Sequence, residues 1–106
     1  MSKIIMIHYI NIQITDRQRT REWYEKVFGA QFLDRGPALN KRQLQLRIGS
    51  SEVHTSDVDQ AVEVPRVHFA VEVEDWSGVL LHLEALGVSY RRSPGGSYSN
   101  IGGTDL

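Results

Sequence analysis

Two pairs of histidine and glutamate residues are the part of this sequence best suited to chemistry. Glu52 and His54 stand two positions apart, and His68 and Glu72 stand four positions apart. Successive side chains of a strand point to opposite faces, so residues at these spacings share a face if both segments are strands. A shared face of imidazoles and carboxylates can bind a ligand, move protons or form an ordinary polar surface. The chain has no cysteine, which excludes thiolate metal sites and thiol nucleophiles.

The strand predicted for His68 organises the second half of the chain. Apolar residues alternate from Val67 to Val73, which predicts a half-buried strand with His68 and Glu72 on its polar side. Asp75 is a favourable N-cap for the leucine-rich helix that follows, and Gly87 suits its C-terminal end. The sequence predicts that Phe69, Val71 and Val73 are buried. Further strands are predicted at residues 88–91 and near residues 98–101.

The same strand and helix occur earlier in the sequence. A shift that places Tyr9 over His68 also places Asp16 over Asp75, and a helical pattern to about Phe28 follows Asp16. The earlier strand is predicted from Lys3 to Thr15. Its polar side carries Tyr9, Asn11 and Gln13, its apolar side carries Ile10, Ile12 and Ile14, and His8 is predicted to point away from the Tyr9 side. Two such units predict a duplicated fold.

Between the two copies the sequence predicts three strands and a loop. They are a short strand at Gln31–Asp34, a Gly/Pro/Asn loop at Gly36–Lys41, and a hairpin formed by Gln43–Ile48 and Glu52–Ser56. Gln45 and Arg47 share one face of the first hairpin strand, and Glu52 and His54 share one face of the second. We expect these four side chains to lie on the polar side of the sheet.

The predicted fold class is α+β, with tandem βαβββ modules of which the second is truncated. We predict one domain over residues 1–106, in which the first module covers about residues 1–58, a connector residues 57–65, and the incomplete second module about residues 66–106. In each module a small sheet carries its helix on one face. The other faces are expected to curve around a shared cleft.

Composition excludes several classes of function. The net charge is −1, which gives no electrostatic case for binding nucleic acid, and no lysine or arginine cluster suggests an anionic membrane. The N-terminal apolar segment is short and interrupted by His8, Asn11 and Gln13, which does not fit a signal peptide or a membrane span. We therefore expect a cytoplasmic protein.

The sequence resembles the vicinal oxygen chelate superfamily, also called the glyoxalase/bleomycin-resistance/dioxygenase superfamily. The matching segments are residues 9–16, Trp23-Tyr24, Phe28-Gly29, residues 67–75 and Leu86-Gly87-Val88. The resemblance implies a divalent metal, Zn, Ni, Mn or Fe, in a cleft lined by both modules. It implies His68 and either Glu52 or His54 as metal ligands. Glu72 shares the face of His68 and is a candidate base or a partner of a metal ligand. The polar sides of the strands supply the candidate substrate-binding residues Tyr9, Asn11, Gln13, Gln45 and Arg47.

The resemblance also implies a fourth ligand, usually a glutamate, on a strand that this sequence does not contain. We therefore expect weak or absent metal occupancy in this chain. It is either a truncated form or a short variant whose unfinished sheet edge, near residues 88–91, is completed across a homodimer.

Three functions remain open from the sequence. In its complete form, the resemblance implies a divalent-metal-dependent lyase or dioxygenase-type enzyme acting on a small molecule. The alternative is a metal-free module that binds a small molecule of the antibiotic type. The third is a structural or partner-binding remnant of the fold, against which the polar residues of the cleft argue. Whether the chain is an enzyme depends on the completeness of its metal site.

Overall fold

A computed structural model describes residues 2–60, 69–92 and 99–101. Within these residues the order of elements is β1 (Tyr9–Ile14), α1 (Arg17–Phe28), β2 (Gln31–Phe32), α2 (Pro37–Arg42), β3 (Gln45–Ile48), β4 (Ser51–Asp57), α3 (Trp76–Leu86), β5 (Tyr90–Arg92) and β6 (Ser99–Ile101). The chain divides into two compact units, Met1–Glu63 and Val64–Leu106. The mixture of helices and sheets confirms the α+β class.

The first unit is built on a four-stranded sheet in the order β1-β4-β3-β2. Strand β1 runs parallel to β4, while β3 runs antiparallel to both β4 and β2. The register places Tyr9 beside Glu52 and Glu52 beside Arg47, and it places His54 between Asn11 and Gln45. Side chains alternate between the faces of a sheet, so these residues all lie on one face.

The opposite face of this sheet forms the core with α1. Its buried cluster comprises Ile14, Tyr24, Ala30, Leu44, Leu46 and Val53, with Ile10, Ile12, Trp23, Phe28, Phe32 and Ile48 packed against it. Leu46 and Thr55 are fully buried. The Thr55 hydroxyl accepts a hydrogen bond from the Leu44 N–H and donates one to the Leu44 carbonyl, so this buried polar group is satisfied. Burial raises the pKa of Tyr24 to about 12.

Both long helices begin and end as the sequence predicts. Asp16 accepts a hydrogen bond from the Arg19 N–H at the start of α1, and Asp75 accepts one from the Gly78 N–H at the start of α3. Each helix ends at a glycine in the left-handed conformation, Gly29 at φ 64° and Gly87 at φ 71°. The predicted caps are therefore confirmed.

The segment before α3 differs from the prediction. Residues 69–74 are not in a strand, and Phe69, Val71 and Val73 are 36%, 44% and 37% exposed. The prediction that they form a buried strand face is wrong for these described residues. A strand needs a neighbour for its backbone hydrogen bonds, and the described strands of the second unit, β5 and β6, pair with each other. His68 and Val67 lie outside the described residues.

Two further predictions are corrected in the first unit. The predicted loop Gly36–Lys41 instead contributes residues 37–41 to α2, because Pro37 at the first turn has a favourable φ and needs no hydrogen-bond acceptor there. The first strand starts at Tyr9 rather than Lys3. Ile4 and Ile5 are 89% and 92% exposed and have no strand partner among the described residues.

No helix in the described part of the chain is long and apolar enough to cross a membrane. A cytoplasmic location stays a prediction.

Candidate functional site

The face of the first sheet opposite the core carries a continuous set of polar side chains. We call it the polar face, and it consists of Tyr9, Asn11 and Gln13 from β1, Gln45 and Arg47 from β3, and Glu52, His54 and Ser56 from β4. The structure thus brings together seven of the nine residues that the sequence analysis proposed for the site. None of their functional roles follows from this placement alone.

Glu52 is the centre of the polar face. Its side chain is only 4% exposed, yet it carries a carboxylate. The Arg35 Nη2 group lies 2.9 Å from both carboxylate oxygens, and the His54 Nε2 atom lies 2.8 Å from Oε1. The Arg47 Nη2 group lies 3.4 Å from Oε2. The hydrogen bond with His54, followed by the hydrogen bond and charge of Arg35, lowers the pKa of Glu52, against the opposing effect of desolvation.

Arg35 reaches the polar face from the loop between β2 and α2. Its Nε group donates to the Gln45 Oε1 atom at 3.1 Å, so the same guanidinium holds two neighbouring strands. The loop is itself fixed by side chains: Asn40 Oδ1 accepts from the Arg35 N–H, and Asp34 Oδ1 accepts from the Gly36 N–H and from the Asn40 amide. Sequence reasoning missed Arg35, because no local pattern links a loop arginine to a carboxylate 17 positions away.

Two aromatic rings and a second histidine border Glu52. The Tyr9 and His54 rings stack with centroids 3.9 Å apart and an angle of 18° between their planes. The His8 Nε2 atom lies 3.7 Å from Glu52 Oε2, so the prediction that His8 points away from this side is wrong. His8 precedes β1, and strand alternation therefore does not fix its side chain. Half of the surface of Tyr9 remains exposed.

The donor atoms around Glu52 do not fit a divalent metal in this arrangement. No group of three or more His, Cys, Asp or Glu side chains among the described residues is placed to hold a metal ion. Arg35 contacts both oxygens of Glu52, and the His54 Nε2 atom faces the carboxylate. A guanidinium has no acceptor and repels a cation, so a metal at Glu52 would require Arg35 to leave.

The remaining predicted site residues lie farther along β1, in the second unit, or outside the described residues. Asn11 Oδ1 accepts a hydrogen bond from the Ser56 hydroxyl, and Gln13 is exposed beside Ser56 in the register. Glu72 is exposed in the second unit. The metal ligand predicted at His68 lies outside the described residues.

A cavity of about 170 Å³ lies elsewhere in the first unit. It is lined by Arg17, Gln18, Arg21, Phe32, Asn40, Gln43 and Leu44. Arg17 already donates to Asp57 and to the carbonyls of Asn40 and Lys41, and Arg21 pairs with Glu25 and lies over the Phe32 ring. Because its cations are engaged within the protein, we place the candidate site on the polar face instead.

Comparison with known proteins identifies the family. The sequence profile of the Glyoxalase/Bleomycin resistance protein/Dioxygenase superfamily matches residues 6–101. The chain belongs to this superfamily. A comparison with curated proteins found no match.

Several solved structures share the fold of this chain at low sequence identity. A putative glyoxalase family protein from Bacillus anthracis is 18% identical with a TM-score of 0.74, covering 88% of this chain and 79% of that one. A mutant of the fosfomycin resistance protein FosX from Listeria monocytogenes, complexed with Mn(II) and 1S,2S-dihydroxypropylphosphonic acid, is 18% identical with a TM-score of 0.68, covering 97% and 87%. TioX from Micromonospora sp. ML1 is 22% identical with a TM-score of 0.58, covering 84% and 81%. At these identities the likeness shows the fold alone.

Proposed function

We propose that the chain binds a small molecule on the polar face, and that Arg35 rather than a divalent metal neutralises Glu52 there. The observation that carries the proposal is the position of the Arg35 Nη2 group, 2.9 Å from both oxygens of a buried carboxylate. Membership of a superfamily that includes bleomycin resistance proteins supports a binding role. This is the metal-free alternative raised by the sequence.

The electrostatics of the polar face support the same choice. Two guanidiniums, those of Arg35 and Arg47, contact the single carboxylate of Glu52. Two unit charges about 4 Å apart near a protein surface interact by roughly 4 kcal/mol, so a dication placed at Glu52 meets strong repulsion from Arg35. Removing Arg35 from a carboxylate this deeply buried would also break two charged hydrogen bonds.

The second candidate is the divalent-metal-dependent lyase or dioxygenase-type enzyme. The observation that favours it is the structurally similar FosX mutant with Mn(II). For this candidate, Glu52 or His54 is the described residue that would bind the ion, and Arg35 would have to leave Glu52. The two candidates therefore differ in whether Arg35 excludes the metal.

A titration with Mn(II), followed by electron paramagnetic resonance on protein purified without a histidine tag, separates them. We expect no binding by the wild type at micromolar Mn(II), and an affinity at least about tenfold higher in Arg35→Ala because a repelling charge is removed. Arg42→Ala, which removes an exposed charge from α2, is the control and should behave as the wild type. Stoichiometric micromolar binding by the wild type, lost in Glu52→Gln, would establish the second candidate instead.

Binding of small molecules is tested directly with chelator present. A panel of small organic molecules is screened by thermal shift in EDTA, and hits are mapped by amide chemical shifts. We expect hits whose chemical-shift changes centre on β1, β3 and β4, the strands of the polar face. The same compounds should bind equally well with and without EDTA. If every hit maps to the cavity beside Arg17, or if no compound binds without metal, the proposal is wrong.

We also propose that the protein forms a homodimer, as the sequence analysis expects. Among the described residues, β5 pairs on one side only, with β6, and an exposed strand edge favours pairing with another chain. Light scattering at micromolar concentration is the test, and a stable monomer would contradict it. The sequence analysis places the contact near residues 88–91, so Ser89→Glu should weaken the dimer more than Ser50→Glu in the β3–β4 turn.

A further inference from the structure

We infer that the polar face selects a planar organic anion, such as an aromatic carboxylate, with Arg47 binding the charged group and Tyr9 stacking on the ring. The inference rests on the proposed function and specifies its ligand class. It depends on the charge around Glu52, on the hydrogen-bonding capacity of Arg47, and on the position of the Tyr9 ring.

The surroundings of Glu52 carry an excess of positive charge. Glu52 supplies one negative charge, while Arg35 and Arg47 supply two positive charges that contact it. The described members of the polar face add no other carboxylate, since their remaining side chains are Tyr9, Asn11, Gln13, Gln45, His54 and Ser56. An excess of positive charge beside a deeply buried carboxylate favours an anionic ligand over a neutral or cationic one.

Arg47 is the cation that can bind such a ligand. Arg35 already donates to both oxygens of Glu52 and to Gln45. Within the described part of the chain, Arg47 makes a single long hydrogen bond of 3.4 Å, to Glu52, and its side chain is 40% exposed. A guanidinium has five N–H donors in a planar fork that matches a carboxylate or phosphonate. Arg47 therefore retains donors for an incoming anion.

Tyr9 supplies the surface for a ring. Its own ring is fixed on one side by the stack with His54, at 3.9 Å, and half of the residue's surface stays exposed. The sheet places Tyr9 and Arg47 on either side of Glu52 in one row across three strands. Strands lie about 4.8 Å apart, so the two residues are roughly 10 Å apart at their backbones. An aromatic acid with one ring or with two fused rings can contact both Tyr9 and Arg47.

Calorimetric titration of the full chain with three probes tests the inference. Naphthoate is planar and anionic, naphthamide is planar and neutral, and cyclohexanecarboxylate is anionic but not planar. We expect naphthoate to bind about tenfold or more tightly than naphthamide, because hydrogen bonds to a charged group are the stronger ones. We expect a similar advantage over cyclohexanecarboxylate from stacking on Tyr9.

Variants assign the two contributions. Arg47→Gln should bring the naphthoate and naphthamide affinities within about twofold of each other, while Tyr9→Leu should weaken naphthoate about tenfold and keep the preference for charge. Arg42→Gln removes an exposed charge of the same unit and should leave all three affinities unchanged. A melting curve for each variant checks that it folds.

The outcomes separate this inference from the proposed function. If naphthamide binds as tightly as naphthoate on the polar face, the ligand class is wrong while small-molecule binding stands. If Arg42→Gln weakens naphthoate as much as Arg47→Gln does, the charge acts through the field of the whole protein and Arg47 is not the anion-binding residue. If none of the probes binds but neutral compounds from the EDTA screen do, the inference fails alone. If nothing binds to the polar face in either experiment, both proposals fail.

Discussion

The two units of the chain contain helices with the same types of capping residue but very different surroundings. Helix α1 and helix α3 each have an aspartate N-cap and a left-handed glycine at the C-terminus. Helix α1 buries Thr20, Tyr24 and Val27, whereas α3 buries Leu83 in the described part of the chain. The first helix packs with a four-stranded sheet, and the described strands of the second unit form a two-stranded one.

This difference shows that capping and burial are separate requirements. A cap satisfies backbone groups within one turn of the helix, so it forms wherever the local sequence provides the aspartate or the glycine. Burial of a helix face needs apolar side chains from distant parts of the chain. The first unit obtains them from β1, β3 and β4, which include Ile14, Leu46 and Val53.

The largest expected effect is the loss of a core side chain in the first unit. Leu46→Ala should lower the free energy of unfolding by about 3–5 kcal/mol, because Leu46 is fully buried. Leu83→Ala should lower the free energy of unfolding less, by about 2 kcal/mol, since α3 buries little else. Leu81 is 67% exposed, so Leu81→Ala should change the free energy of unfolding by no more than about 0.5 kcal/mol. Urea unfolding measures all three, with Trp23 reporting the first unit and Trp76 the second. Equal losses for Leu46 and Leu83 would remove the contrast between the units.

The next effect concerns the buried carboxylate. Glu52→Gln should destabilise the first unit by about 1–3 kcal/mol, because Arg35 and His54 lose a charged acceptor in a buried position. The loss should stay below that of a fully buried ion pair, since the Arg35 side chain is 38% exposed. Glu72→Gln is the matched change at an exposed residue of the second unit and should be neutral. Urea unfolding followed by Trp23 fluorescence is the measurement, and equal costs would mean that the Glu52 contacts add no stability.

The same carboxylate should make the stability of the first unit depend on pH. The contacts of Glu52 lower its pKa below the ordinary 4.5, so the ionised form favours the folded state. Its contribution is complete above pH 4.5 and is lost as the pH falls through the lower folded-state pKa. Unfolding free energies measured across this window should fall less steeply in Glu52→Gln than in the wild type. Asp57, whose pKa is also lowered by the hydrogen bond from Arg17, supplies the slope that remains in Glu52→Gln.

The smallest expected effects test the similarity of the helices. Asp16→Ala and Asp75→Ala should each cost about 1 kcal/mol, because each removes one side-chain hydrogen bond to the first turn. Amide hydrogen exchange distinguishes where the cost is felt. We expect Asp16→Ala to accelerate exchange throughout the first unit, and Asp75→Ala to accelerate it mainly within α3. A cost for Asp75→Ala that spreads through both units would show that they unfold together.

The sequence was informative where the signal is local. The helices at Arg17–Phe28 and Trp76–Leu86, the strands β3 and β4, and the common face of Gln45, Arg47, Glu52 and His54 follow from caps, turns and alternation. The resemblance to the superfamily rests on residues 9–16, Trp23-Tyr24, Phe28-Gly29, residues 67–75 and Leu86-Gly87-Val88, and membership is confirmed by the match over residues 6–101.

Predictions failed where the outcome depends on distant partners. Alternation marks Phe69, Val71 and Val73 as a strand face, but alternation does not supply a neighbouring strand. In the candidate site, the placement of Arg35 depends on how its loop folds over β3 and β4. For the same reason, the sequence could propose Glu52 as a metal ligand but could not show that a guanidinium already contacts it.

Because β1 pairs with β4, which lies far along the chain, β1 has no strand partner during part of the protein's synthesis. Asn11 and Ser56, which hydrogen-bond across this pair, are 45 positions apart along the chain. At a synthesis rate of about 5–20 residues per second, β1 waits roughly 2–9 s for its partner to be translated. During that interval β1 has no strand partner, so its three isoleucines stay exposed on the nascent chain, where a chaperone that binds apolar segments can reach them.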